Sequence, residues 1–516
     1  MPLELPSRLN VAEYFVFRPA REHPGRLAIL GEPRPVTYGQ LAELTARVAG
    51  ALASSGCAPG ARVLLVLPDS LEFIASFFAA AAIGAVAVPV NAAARQADYA
   101  YYLADSGARI AIVHAGSLDS VLGATGTAGL DLLVVAGGCA PGSAWFAARA
   151  WDDWLAAAPA AGPAPTAAGD TAFFLYTSGS GGTPKAAIHR HQDMYVTSRC
   201  YASDVLGLGP DDRTFSVSKL FFAYGLGNAM YFPLGAGAST ILYPGRPRPE
   251  PVAEIVARFR PTVFYAVPTF YAAFLRRAGA GLPVDFSSVR LAVSAGEPLP
   301  EEIFLRFRDR FGLEILDGIG STEMLHMFLS PQPGRTRPAT CGFEVPQYGA
   351  KIVDEEGRPV SEGAIGNLWV RGASAFSGYW NKPELTAQAK RGDWVVTGDK
   401  FFRDPDGFYH YCGRSDDMLK VGGMWVAPAE VENALLAHPS VAEAAVVGRL
   451  FDGLTRAVAY VVLRESQAGS EDLARSLREF VRERLPSFKA PAEVHFLAEL
   501  PKTATGKIQR FKLRQS

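Results

Sequence analysis

Cysteine is scarce in this 516-residue chain. Its five copies (Cys57, Cys139, Cys200, Cys341 and Cys412) are scattered, odd in number and without C-x-x-C spacing. That argues against a disulfide framework and predicts a reduced, cytoplasmic setting. Charge imbalance is missing too. Fifty Lys and Arg stand against 51 Asp and Glu, a formal net charge of −1, so nothing electrostatic calls for nucleic acid or an anionic membrane as partner. The N-terminus, MPLELPSRLNVAEYF, has no basic start followed by an apolar core, and no signal peptide is read there. Long hydrophobic runs are almost absent. One, Phe73–Val90, approaches bilayer length, but Gly84 and Pro89 interrupt it. A buried helix, a glycine stop and a buried strand describe it better. There is no internal repeat and no heptad run.

What is present is ordinary for a globular enzyme-sized chain: 49% hydrophobic and 20% charged residues. At this length more than one core is expected. Helical and strand patterns alternate over most of the chain. Val36–Gly56 carries apolar residues at helical spacing and ends on glycine, while Ala61–Pro68 and Ala108–Ala115 read as strands. Such alternation predicts parallel sheets covered by helices. Ala156–Gly169 is nearly all Ala, Pro and Gly, which reads as a linker or surface excursion. Beyond Gly413 the pattern becomes helix, strand and helix (with Leu473–Pro486 as the second helix), a compact module of about a hundred residues.

The stretch Tyr176–His191, YTSGSGGTPKAAIHRH, combines hydroxyls, three close glycines and a lysine. Glycines admit backbone where a Cβ would block it, and backbone N–H groups, hydroxyls and an ammonium are all phosphate donors. The apolar Ala172–Tyr176 before it reads as a buried strand feeding the loop. On its own the stretch is equally a glycine- and serine-rich surface turn. No G-K-[ST] follows at the spacing a Walker A loop needs.

Five further unusual segments follow in order: SAGEPLP (Ser294–Pro300), DGIGSTE (Asp317–Glu323), VVTGDKF (Val395–Phe401), GRSDDMLKVGG (Gly413–Gly423) and PKTATGKIQR (Pro501–Arg510). With these six motifs in this order, the chain resembles the adenylate-forming superfamily of acyl-CoA synthetases, luciferases and peptide-synthetase adenylation domains, over nearly its whole length. The resemblance implies a multi-domain α/β fold. Residues 1–415 would form two α/β sheets and a distorted β-barrel, binding ATP and the acid. Residues 416–516 would form a small mobile α+β domain that turns about a hinge at Asp416.

It also implies ATP, Mg²⁺ and CoA as co-substrates and cofactor, and it assigns roles. Thr177, Ser178, Gly179, Ser180, Gly181, Gly182, Thr183 and Lys185 would clamp polyphosphate. Gly181 stands where Thr or Ser is common and Ala186 where Gly is common, so phosphate contacts are expected to be weakened at most. Ala295, Gly296 and Glu297, with Asp317, Gly318, Ile319, Gly320 and Ser321, would contact the nucleotide. Thr322 would serve catalysis, and Glu323 would be both catalytic and the magnesium ligand. Taken alone, DGIGSTE reads better as a helix-start cap on Ser321 or Thr322. Asp399 would accept the ribose hydroxyls with Arg414 assisting. Catalytic Lys507 would place a cation between the carboxylate and the α-phosphate. Gly422 and Gly423 would line the thiol tunnel.

The segments KLFFAYGLGN (Lys219–Asn228) and MLHMF after Glu323 decide the acid. Neither offers a carboxylate to pair an ammonium, which counts against an amino acid substrate. FFAYGLGN, DGIGSTEMLH and GRSDDMLKVGGMWV look like the benzoate-CoA ligase branch. By that likeness Ala223, Tyr224, Gly225, Gly320, His326 and Met327 would enclose one aromatic ring, leaving Phe221 and Phe222 to plain core packing. The expected activity is ligation of benzoate, or of a small amino- or hydroxybenzoate, to CoA through the aryl-AMP. Loading of a carrier protein and a catalytically silent binding homologue are the rival readings, and a homodimer stays open.

Overall fold

The computed structural model describes residues 3–31, 34–124, 129–143, 145–156, 158–178, 183–415, 417–421, 424–451, 454–464, 468–502 and 508–515. Among them, two seven-stranded sheets dominate the first three hundred residues. The first runs Ala147–Ala150, Leu132–Ala136, Ile110–His114, Arg62–Val66, Val86–Pro89, Thr171–Ser178 and Pro184–Arg190; every pairing is parallel except the last. The second runs Ile315–Asp317, Leu291–Ser294, Val263–Ala266, Arg213–Ser216, Ser239–Leu242, Leu27–Gly31 and Val36–Thr37, again parallel but for the final pair. Strands buried on both faces explain why Leu64–Leu65 and Val263–Ala266 read as continuous apolar runs.

Helices Tyr38–Ser54 and Leu71–Ala82 belong to the largest core cluster. The first starts on a capping box between Thr37 and Gln40, and the second on the Ser70 hydroxyl accepting from the Phe73 N–H. Phe73–Val90 is therefore helix, left-handed Gly84 (φ +75°) and strand, as its glycine and proline predict. None of the described helices is long and apolar enough to cross a membrane.

The Ala/Pro/Gly segment is not a free linker. The Ala161 N–H donates to Ala46 O at 2.9 Å and the Ala164 N–H to Ala82 O at 2.7 Å, strapping it across both helices. A Cβ at Gly50 would sit 1.7 Å from the Pro159 carbonyl oxygen, so only glycine lets the strap close. Small residues serve here for close approach, not for flexibility.

Two antiparallel sheets follow: Ile319–Gly320, Met327–Ser330 and Phe343–Glu344, then a five-stranded sheet that includes Gly366–Arg371, Trp394–Arg403 and Tyr409–Arg414. At the C-terminal end, strands Val441–Phe451, Leu454–Leu463 and Glu493–Phe496 carry helices Pro428–Leu436 and Glu471–Arg482 around a separate core of Val431, Leu435, Val446 and Leu477. An ion pair of 2.8 Å, Arg464 with Glu302, reaches from this module to helix Glu301–Phe311.

Candidate active site

Strands Thr171–Ser178 and Pro184–Arg190 pair antiparallel, with Thr177 opposite Lys185. Gly179, Ser180, Gly181 and Gly182 lie outside the described residues. The far edge of Pro184–Arg190 is covered by residues 377–380. The Ser377 N–H donates to Ile188 O at 2.9 Å, the Trp380 N–H to Ala186 O at 2.9 Å, and Ala187 bridges Tyr379. That pairing brings Tyr379 beside Lys185, whose ammonium donates to the phenol oxygen at 2.6 Å. Burial lowers the Lys185 pKa, Glu323 opposes that, and Arg414 adds to it. A partly desolvated cation with few water partners is pre-paid for an incoming phosphate.

Tyr379 in turn donates to Glu323 Oε1, and Lys185 Nζ lies 3.9 Å from the same carboxylate. Burial raises the Tyr379 pKa, with Glu323 adding to the effect, so the phenol keeps its proton. The Ser321 hydroxyl accepts from the Met324 N–H at 3.3 Å and caps the short helix Thr322–Met324. The capping role thus falls to Ser321, which leaves the Glu323 carboxylate free of it and 17% exposed. Among the described residues no three His, Cys, Asp or Glu side chains gather to hold a metal. A hard carboxylate 3.9 Å from a lysine ammonium suits a cation that takes its remaining ligands from phosphate and water, the usual habit of magnesium. On that ground Glu323 fits Mg²⁺.

The segments expected to contact the nucleotide leave the carboxyl ends of adjacent parallel strands, where ligands collect in α/β sheets. Ala295, Gly296 and Glu297 follow Leu291–Ser294, and Gly318 follows Ile315–Asp317; the Gly318 N–H donates to Ser294 O at 3.0 Å. Gly296 turns out at φ +93°, and a Cβ at Gly318 would meet the Met327 sulfur at 2.5 Å. Asp399 and Arg414 are cross-strand partners, 3.2 Å apart as an ion pair, and Arg414 also donates to Thr397 O at 2.8 Å.

Asp317 is buried, accepts from the Leu299 N–H at 3.2 Å, and burial pushes its pKa up to about 7, with Ser294 and Leu299 opposing. The folded state therefore binds a proton that the unfolded state has released above about pH 4. Stability is lost as pH rises from there through 7. Asp317→Asn should remove this loss: its thermal midpoint should gain on the parent's between pH 5 and 7 and hold that gap above. The full effect is on the order of 2–4 kcal/mol at most. A gap independent of pH would contradict it.

Ala223, Tyr224 and Gly225 form the first turn of helix Ala223–Leu226. The Tyr224 hydroxyl donates towards Val293 O at 3.2 Å, and its ring lies 5.6 Å from that of His326. Gly320 faces Met327 across a strand pair. Phe221 and Phe222 do not pack in the core. They are half-buried in the turn before the helix, their rings 4.1 Å apart, because the chain must leave the sheet there to reach Ala223.

His326 is 3% exposed, walled by the rings of Tyr201 at 5.2 Å and Phe232 at 4.5 Å. Its Nε2 lies 3.2 Å from Asn228 Oδ1, while its Nδ1 and the Asn228 amide nitrogen have no partner in hydrogen-bond geometry. Burial lowers its pKa to about 3 against a weaker opposing effect of the Tyr224 carbonyl, so the ring is neutral.

Asp416, Gly422, Gly423 and Lys507 lie outside the described residues. Strands Leu419–Val421 and Met424–Val426 pair across the two glycines, and Lys502, ion-paired to Glu443 at 2.7 Å, bridges Ile508 on either side of Lys507. Tyr379, Asn228 and Tyr201 are not foreshadowed by the motifs. Only the polar-tipped aromatics in GYWN and the lone amide ending FFAYGLGN hint at them.

The family model described as AMP-binding enzyme matches residues 16–380, and its AMP-binding enzyme C-terminal domain matches 430–507. A benzoate–CoA ligase of Thauera aromatica is 42% identical over 100% of this chain and 97% of its own. A benzoate CoA ligase structure from Burkholderia xenovorans LB400 superposes with a TM-score of 0.89 at 43% identity, covering 98% and 99% of the two chains. An anthranilate CoA ligase solved with anthranoyl-AMP gives 0.92 at 38% identity, covering 99% and 98%.

Proposed function

The chain belongs to the AMP-binding enzyme family, and on that premise we propose that it is an ATP-dependent aryl-CoA ligase acting on benzoate and small substituted benzoates. The observation that carries the aryl assignment is the aromatic wall formed by the Tyr224 ring and the neutral His326 ring, 5.6 Å apart. The relatives named as benzoate and anthranilate ligases support it.

In the first half-reaction a carboxylate oxygen attacks the α-phosphorus, the new O–P bond forms, and pyrophosphate leaves. Thr177, Thr183 and Lys185 hold the polyphosphate, the latter steadied by Tyr379. Asp399 accepts from the ribose hydroxyls, oriented by Arg414. Lys507 would place its cation between the two anions. Glu323 would hold magnesium, which neutralises charge on phosphate oxygens. In the second half-reaction the C-terminal module, 416–516, turns about Asp416 and brings Gly422 and Gly423 to the site. The CoA thiol sulfur then bonds to the acyl carbon, the acyl–oxygen bond breaks and AMP departs. Carrier-protein loading uses the same chemistry, and the names of the relatives favour CoA. Five free cysteines fit a cytoplasmic enzyme, and a homodimer is compatible with this reading.

ATP–pyrophosphate exchange with a panel of arylcarboxylates, followed by thioester assays with CoA and with a carrier protein, tests the assignment. Efficient exchange with a long-chain fatty acid would remove the aryl reading. An unpartnered ring nitrogen in an aromatic wall should favour substrates with an amino or hydroxy group. His326→Leu, which keeps bulk without the nitrogen, should lower kcat/KM for 2-aminobenzoate relative to benzoate about tenfold. An unchanged ratio would leave His326 a packing residue.

A further inference from the structure

His189 lies four residues past Lys185 on strand Pro184–Arg190, fully buried, its ring stacked on Phe173 at 5.1 Å. Both of its nitrogens face acceptors. Nδ1 is 3.0 Å from Asp193 Oδ2, and Nε2 is 2.8 Å from the Thr322 carbonyl oxygen. The carbonyl has no proton to give. The Asp193 carboxylate already accepts from the Arg190 backbone N–H at 3.0 Å and from Arg190 Nε at 3.1 Å. Nε2 therefore carries the proton that meets the Thr322 carbonyl, and the Nδ1–Asp193 hydrogen bond holds the ring in that orientation, in a dry interior where an unmade hydrogen bond is costly.

The peptide so gripped is the one that carries Glu323. The Phe376 N–H takes the Glu323 carbonyl at 2.7 Å, Lys390 Nζ takes the Phe376 carbonyl at 3.1 Å, and Arg190 takes the carbonyls of Ala373 and Ala375 at 3.0 and 2.8 Å. Strand Pro184–Arg190 thus supplies Lys185 to the phosphates at one end. At the other it supplies the group that sets the distance between Lys185 and the Glu323 carboxylate.

We propose that His189 is a positioning residue for adenylation: bonded to Asp193 through Nδ1 and donating from Nε2, it clamps the Thr322 carbonyl to Asp193 and holds Glu323 in register with Lys185. The inference rests on the reading of Glu323 as the magnesium ligand, so the test includes that residue.

Two substitutions separate the two nitrogens. Asparagine places an amide near Nδ1 and keeps the Asp193 contact, while glutamine reaches towards Nε2 and keeps a donor for Thr322. His189→Asn should weaken MgATP binding, measured calorimetrically without arylcarboxylate, by about tenfold. Binding of ATP in EDTA and the KM for benzoate should not change. His189→Gln should recover most of the MgATP affinity. Equal losses in the two variants would overturn the clamp. So would normal MgATP binding by His189→Asn while Glu323→Gln binds poorly. Normal MgATP binding by Glu323→Gln would instead remove the metal reading on which the clamp depends. Should both His189 variants fail to fold, neutron diffraction from the parent protein decides: a deuteron on His189 Nε2 is expected, and its absence there overturns the proposal.

Discussion

Lys507→Ala is expected to lower aryl-adenylate formation by about two to three orders of magnitude while sparing the transfer of preformed aryl-AMP to CoA. The carboxylate and the α-phosphate are both anions, and their approach concentrates further negative charge on the phosphoryl oxygens. A cation held between them offsets that repulsion in the transition state more than in the ground state, which is the condition for raising a rate. Once the adenylate exists the demand is gone, because the attacking thiol meets an ester carbonyl with AMP as leaving group. Pyrophosphate exchange and single-turnover thioester formation measure the two halves separately. The reciprocal variant, Gly422→Leu, should leave exchange intact and block the thiol. Equal losses in both half-reactions for Lys507→Ala would overturn the rotating-module mechanism.

Glu323→Gln is expected to reduce adenylation by about a hundredfold at subsaturating magnesium, with part of the loss regained as the metal is raised. The amide keeps the shape and can still accept from the Tyr379 hydroxyl, so folding should be unaffected. It lacks the negative charge a hard cation prefers. The same charge repels the polyphosphate when no metal is present. Metal-free ATP should therefore bind the variant at least as well as the parent, the opposite sign from MgATP. A magnesium titration superimposable on the parent's would return Glu323 to the capping role that its motif suggests in isolation. That outcome is disfavoured by geometry, since Ser321 already supplies the cap.

Much of this site is written along the chain. The pairing of strands Thr171–Ser178 and Pro184–Arg190, the pairing of Asp399 with Arg414, and the approach of the Tyr224 and His326 rings all follow motifs legible in order. Such motifs are local: a glycine at a forbidden φ, a hydroxyl before a helix, alternating burial in a strand. Each acts within a few residues, so the sequence carries it openly. Phe221 and Phe222 misled because apolar character predicts burial in general and says nothing about a chain that must turn out of its sheet.

The amino-acid sequence by itself determined the family, the strand–helix alternation, the order of the binding loops and which side chains bring charge to them. The tertiary structure decided what those charges touch. Lys185 meets Tyr379 across 194 residues, His189 meets the Thr322 carbonyl across 133, and His326 meets Asn228 across 98. None of these contacts has a period or a spacing. Each exists because sheet register and helix packing bring distant segments within 3 Å or so, and because a buried polar atom must then find a partner or go without. His189 and His326 show both results of that rule. They are the same residue type in similarly dry surroundings, one with both nitrogens bonded and one with a nitrogen left over. Only the packing around each ring separates the two, because the hydrogen bonds open to a buried histidine are set by the acceptors and rings that folding places around it.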